Sequence, residues 1–147
     1  MSELMANRTS PLAGFRDILV GLRPGRDVLK ARLEARVDAM FASGLVEEVR
    51  KLRLAHGAAI SAFKAIGYRE VLLYLEGEID LEAARALTLL STTRYAKRQM
   101  TWLRREPDIV WFEGVGEDES VRARVFEHIR QAIPDSREPR DLERSLC

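Results

Sequence analysis

The sequence predicts an α/β chain that is mostly α-helical, with about five helices and two short strands. Apolar residues recur at spacings of three and four in five separate windows between Asp27 and Ala132. Two compact apolar runs, one starting at Ile18 and one at Ile109, are too short for helices and rich in β-branched residues. Glycine and proline punctuate the boundaries between these windows. The length of 147 residues suits one domain with a real core.

Met1 to Gly14 mixes Asn7, Ser10, Pro11 and Gly14 and reads as a poorly ordered lead-in. The run Ile18, Leu19, Val20 and Leu22 ends at Pro24 and Gly25 and predicts a buried strand. From Asp27 to Ser43, Leu29, Leu33, Val37 and Met40 form a helical stripe that Gly44 stops. A second helix carries Leu45, Val49 and Leu52 and ends near Gly57, and Ala58 to Lys64 reads as a loop. The third helix runs from about Gly67 to Leu75, placing Tyr68, Val71, Leu72 and Leu75 together, and Gly77 closes it. Asp80 caps a long helix reaching roughly Arg104, since Pro107 forbids continuation. Ile109 to Phe112 predicts the second strand. Ser120 caps a last helix with Val121, Val125, Ile129 and Ala132 inside, and Pro134 ends it. Residues 15–134 form the folded part, and Asp135 to Cys147 reads as a disordered tail. Two strands alone make a marginal sheet, so the chain is expected to pack against something more.

Composition excludes more than it selects. The apolar share of 46% and the charged share of 32% are those of a soluble globular protein. With 24 basic and 23 acidic residues the net charge is +1, so any electrostatic function has to come from local clustering. The lone cysteine, Cys147, can build neither an internal disulfide nor a thiolate zinc site, which fits a reducing cytoplasm. No apolar run approaches the roughly 20 residues of a membrane span, and no signal-peptide pattern is present. There is no Gly-x-x-x-x-Gly-Lys-Ser/Thr run and no Gly-x-Gly-x-x-Gly. His56 and His128 read as surface or helix-end histidines. Glu47, Glu48 and Glu70 fit proton or Mg²⁺ holders and solvated helix carboxylates equally well.

The most informative segment runs from Arg94 to Arg105. At about 100° per residue, Arg94, Lys97, Arg98, Thr101, Arg104 and Arg105 fall within about a third of the helix circumference. Ala96, Met100 and Leu103 fall on the other side, and Tyr95, Gln99 and Trp102 lie between. No acid interrupts the window. Such a row suits RNA phosphates and an unstacked base, and the same spacing also describes a solvated basic face. Arg36 sits beside the apolar stripe of the first helix. It reads as a phosphate ligand or as half of a salt bridge with a glutamate of the second helix.

Four segments occur together in order: Arg32 to Met40 with Gly44 to Arg50, then Lys64-Ala-Ile-Gly-Tyr-Arg-Glu70, then Tyr74-Leu-Glu-Gly77, then Tyr95-Ala-Lys-Arg-Gln-Met-Thr-Trp-Leu-Arg104. From about Phe15 to Phe112 this order resembles the C-terminal half of the tRNA dimethylallyltransferase (tRNA isopentenyltransferase) family. The resemblance implies a part of a fold similar to P-loop NTPases, without its N-terminal half. It implies transfer of a dimethylallyl group from its diphosphate to N6 of the adenosine 3′-adjacent to the anticodon, with Mg²⁺ as cofactor and the tRNA anticodon arm as partner. It implies that Arg36 is the catalytic arginine attending the reacting centre and the diphosphate. Phe63, Lys64, Ala65, Ile66, Gly67 and Tyr68 then form a loop that meets the anticodon arm. Lys97, Arg98, Gln99, Met100, Thr101, Trp102, Leu103 and Arg104 form the segment that contacts tRNA, with Arg94 and Arg105 as further candidates.

Two departures matter. The family's P-loop and catalytic aspartate have no counterpart here, so the chain is expected to be a fragment, a truncated product or one piece of a split enzyme, inactive in prenyl transfer alone. The family's usual arginine just before Arg94 is Thr93. Two other readings stay open: a non-catalytic helical RNA-binding module, and an interaction domain that docks by a free sheet edge.

Overall fold

The computed structural model describes residues 17–57 and 61–133. Strand β1 spans Leu19–Arg23, followed by α1 (Arg26–Ala42), α2 (Leu45–His56), a 3-10 turn at Ser61–Lys64, α3 (Tyr68–Leu75), α4 (Leu81–Leu103), β2 (Ile109–Glu113) and α5 (Glu119–Ala132). The predicted mostly helical α/β chain, with five helices and two strands, is the one observed among the described residues. The expected lead-in and tail lie outside the described residues. The length suits one domain, and the contacts divide the chain into two compact units. One is residues 24–107; the other joins the segment through Arg23 to the segment from Asp108.

The second of these units is built on a two-stranded parallel sheet, in register from Leu19↔Ile109 to Arg23↔Glu113. Parallel strands need a long crossover, and the whole helical unit is that connection in the chain. Glycine is required at Gly21, because a Cβ there would lie 2.6 Å from the Trp111 ring. Arg23 Nε donates to Glu113 Oε1 at 2.7 Å across the last register pair. Helix α5 packs on β2 through Val121, which is buried. The buried strand predicted at Ile18 to Leu22 is instead largely exposed: Leu19, Val20 and Leu22 keep 43%, 38% and 40% of their surface. Strand neighbours cover edges and a packed layer covers faces, and a two-stranded sheet offers little surface for such a layer. The predicted cap of the last helix moves two residues upstream: Asp118 Oδ1 accepts the Ser120 N–H at 2.8 Å. Aspartate holds the more strongly accepting oxygen.

The helical unit forms where apolar faces meet. Val37 of the predicted α1 stripe is buried, and Leu29, Leu33 and Met40 are half-buried. Gly44, at φ 97°, turns the chain from α1 into α2. Leu45, Val49, Phe63 and Val71 form the core, with Met40, Leu72 and Leu75 packed against it. The predicted loop of Ala58 to Lys64 contains, at Ser61–Lys64, a 3-10 turn. Burial of Phe63 tightens it, because the ring is only 5% exposed. Asp80 Oδ1 accepts the Ala83 N–H at 2.7 Å and starts α4. Its 23 residues make a rod about 34 Å long. The N-terminal half of α4 buries Ala84 and Thr88 completely, packing against α1 and α3.

Truncating Phe63→Ala removes a ring from this core and leaves a cavity. It is expected to lower the unfolding free energy by about 3–5 kcal/mol, measured by urea denaturation followed by circular dichroism.

Candidate nucleic-acid interface

Beyond Thr88 the sequence of α4 changes character and the helix does not. It continues without a break through Leu103. Arg104 keeps helical dihedrals, φ −66° and ψ −15°, and the Arg105 N–H bonds the Trp102 carbonyl at 3.0 Å. Ala96, Met100 and Leu103 are half-buried, while Arg94, Lys97, Arg98, Thr101, Arg104 and Arg105 are exposed. The structure therefore brings together all the cations that helical spacing had aligned.

Several arginines elsewhere meet carboxylates: Arg23 with Glu113, Arg50 with Glu47, Arg53 with Glu76, Arg85 with Asp38 and Arg130 with Glu127. Among the described residues none of Arg94, Lys97, Arg98, Arg104 and Arg105 has an ion pair. Arg98 instead lies over the Tyr95 ring at 5.7 Å. Next to this pair Trp102 is 61% exposed and Tyr95 47%. Large aromatics held this far into water, beside unpaired cations, are suited to stacking on a base. Gln99 is exposed between them. The Thr101 hydroxyl donates to its own helix, at the Lys97 carbonyl (2.9 Å). Thr93 does the same at Leu89 (2.8 Å), so it adds no cation to the row.

The predicted loop is arranged differently from a simple exposed finger. Phe63 faces the core and Gly67 is buried, so both hold the segment from beneath. Lys64 and Ala65 are exposed and Ile66 is half-buried. The Tyr68 hydroxyl donates to Glu48 Oε1. That hydrogen bond, then burial, then the Glu48 charge, raises the phenol's pKa above its ordinary value.

The sequence fitted Glu70 equally to a proton or Mg²⁺ holder and to a solvated helix carboxylate. Among the described residues it is the largest fully buried side chain, at 1% exposure. Its Oε2 accepts the Gly67 N–H at 2.7 Å, and its Oε1 accepts Arg69 Nη2 at 2.6 Å and Ser91 Oγ at 3.0 Å. Burial pushes its pKa up; the donors from Gly67, Arg69 and Ser91 outweigh it and hold the carboxyl below its ordinary value. A glutamate three residues after a helix-starting glycine is the local hint that was available.

Arg36 is exposed on α1. The salt bridge that competed with a phosphate role is absent among the described residues. Glu47 is paired with Arg50, and Glu48 accepts from Tyr68. Among the described residues no three His, Cys, Asp or Glu side chains gather as a ligand set, and the oxygens of Glu70 are occupied. No helix among the described residues is long and apolar enough to cross a membrane.

Comparison with known proteins decides the family. The family model described as IPP transferase matches residues 1–106. The chain belongs to the IPP transferase family. A tRNA dimethylallyltransferase of Solibacter usitatus is 40% identical over 134 residues, covering 90% of this chain and 44% of the relative. One of Nocardioides sp. is 49% identical over 105 residues, covering 70% and 34%. The chain thus spans less than half the length of these curated relatives. The crystal structure of the full-length tRNA isopentenylpyrophosphate transferase of Bacillus halodurans matches at a TM-score of 0.74 and 32% identity, over 88% of this chain and 42% of that one. A tRNA isopentenylpyrophosphate transferase structure from Staphylococcus epidermidis matches at 0.71 and 28%, over 79% and 38%. The five helices and two parallel strands are a part of this family's fold.

The lowered pKa of Glu70 gives a sign for its pH dependence. A carboxyl with a depressed folded value contributes stability that is complete above its ordinary value of 4.5. That contribution is lost as pH falls through the folded value. The stability advantage of the wild type over Glu70→Gln should therefore be constant near neutrality and shrink below pH 4.5, read from urea midpoints across a pH series.

Proposed function

We propose that residues 63–68 and 94–105 hold the anticodon arm of a tRNA during N6 prenylation of the adenosine 3′-adjacent to the anticodon. The observation that carries this is the row Arg94, Lys97, Arg98, Arg104 and Arg105, unpaired among the described residues and flanked by exposed Tyr95 and Trp102. A guanidinium binds two phosphate oxygens at once through its planar fork. An aromatic face beside it takes an unstacked base. Together they fit a strand whose target base has left its stack. Family membership and the tRNA dimethylallyltransferase relatives support the same substrate class.

In this reading Arg36 attends the diphosphate of dimethylallyl diphosphate. Prenyl transfer breaks the bond between the donor carbon and the diphosphate oxygen and forms a bond from that carbon to N6. The amine loses a proton to a base, and negative charge grows on the leaving diphosphate. An exposed guanidinium with no carboxylate partner among the described residues is suited to that charge. The 147 residues contain no phosphate-cradling glycine-rich run. The donor site, the general base and any Mg²⁺ ligands are therefore assigned to residues outside this set, and the chain on its own does not turn over. A cytoplasmic setting belongs to the same proposal.

The test is binding of a labelled anticodon stem-loop by fluorescence anisotropy across a salt series. Five cations on phosphates give a log-log salt slope of about −3.5 to −4.5. Arg98→Ala should flatten that slope by about 1, and Thr93→Arg should steepen it by about 1. Trp102→Ala should weaken binding by about 1–3 kcal/mol with the slope unchanged. Absent or salt-insensitive binding by the wild type would overturn the proposal.

A further inference from the structure

The buried carboxylate of Glu70 has no part in the chemistry above, and its surroundings point to another task. We infer that Glu70 is a positioning residue that pins the Phe63–Tyr68 loop to α4, so that loop and cation row meet RNA as one preformed surface. This rests on the RNA-binding reading, and its test separates the two.

The geometry carries it. Glu70 sits in the first turn of α3 with 1% of its surface exposed. Its three donors come from three places: the Gly67 N–H in the turn at 2.7 Å, Arg69 of its own helix at 2.6 Å, and Ser91 of α4 at 3.0 Å. Arg69 Nη2 also donates to Ser91 Oγ at 3.3 Å and closes the knot. Ser91 lies one helical turn before Arg94, the first cation of the row. One carboxylate thus joins the end of the loop to the start of the ridge. Gly67 holds φ +94°, and a Cβ there would come within 3.2 Å of Met40 Cε, so the turn lies against the core. The loop's other end is anchored by the buried Phe63 ring. Between these two pins only Lys64, Ala65 and Ile66 are left to face outward or lie half-buried.

The physical reason to keep a charge in this place is geometric. A buried carboxylate is costly unless its oxygens are satisfied, and an apolar side chain would fill the volume without that cost. Hydrogen bonds supply what packing does not, which is a direction for each partner. A loop already ordered before RNA arrives does not lose that freedom on binding.

The test uses the whole chain with two variants, Glu70→Gln and the milder Ser91→Ala, which removes one donor of the three. Hydrogen–deuterium exchange of the Phe63–Tyr68 amides should quicken by at least about tenfold in Glu70→Gln and by less in Ser91→Ala. Amides of α1 and α2 at Val37 and Val49 should keep wild-type rates. Binding of the anticodon stem-loop supplies the second arm. Lys64→Ala should weaken binding in the wild type and have no further effect in the Glu70→Gln background, while Arg98→Ala costs the same in both. If Glu70→Gln does not fold, the same cycle is run on Ser91→Ala. Wild-type exchange rates at the loop in the variants, or an equal Lys64→Ala effect in both backgrounds, overturn the inference. Quickened loop exchange in the variants, together with a wild type that binds no stem-loop, overturns the RNA reading alone.

Discussion

Helix α4 has to serve two masters along one rod, and the rest of the helical unit depends on how it does so. Its first half is gripped by α1 and α3, with Ala84 and Thr88 fully buried. Its second half carries cations on one side and only a narrow seam of Ala96, Met100 and Leu103 on the other. An unbroken hydrogen-bond ladder lets the packed half hold the charged half rigid. Serine and threonine would ordinarily compete with that ladder. Here Thr88, Thr92, Thr93 and Thr101 donate to carbonyls of their own helix, and the helix continues through all four.

Charge in this protein is a matter of placement. A net charge of +1 says little about partners. Among the described residues Arg23, Arg50, Arg85 and Arg130 meet glutamates or aspartates at exposed positions, where each pair is worth little. The row from Arg94 to Arg105 is where basic residues accumulate without that compensation among the described residues. Exposed cations at this spacing repel one another, and under the proposed function bound phosphates offset that repulsion.

The strands obey a different constraint. In the helical unit apolar faces meet each other; in the strand unit they largely meet water, and Leu19, Val20, Leu22 and Val110 stay substantially exposed. A parallel pair is usually covered on both faces. The chain spans less than half the length of its curated relatives from Solibacter usitatus and Nocardioides sp..

Local periodicity was enough to read the helices, the strand positions and the cation row, because each depends on residues three or four apart and on nothing distant. The ordered motifs Lys64 to Glu70 and Tyr95 to Arg104 likewise marked the family from the chain alone. Tertiary structure decided what those positions face. Glu70 and Ser91 are 21 residues apart, and no local pattern reveals that a helix carboxylate is buried between two helices. The same holds for Phe63, which turned inward as a core anchor, and for β1, which stayed exposed. Whether Arg36 and the row were already neutralised by the protein's own acids was also beyond the sequence. Burial and ion pairing are properties of neighbours brought together by folding, and a one-dimensional pattern contains the neighbours in sequence only.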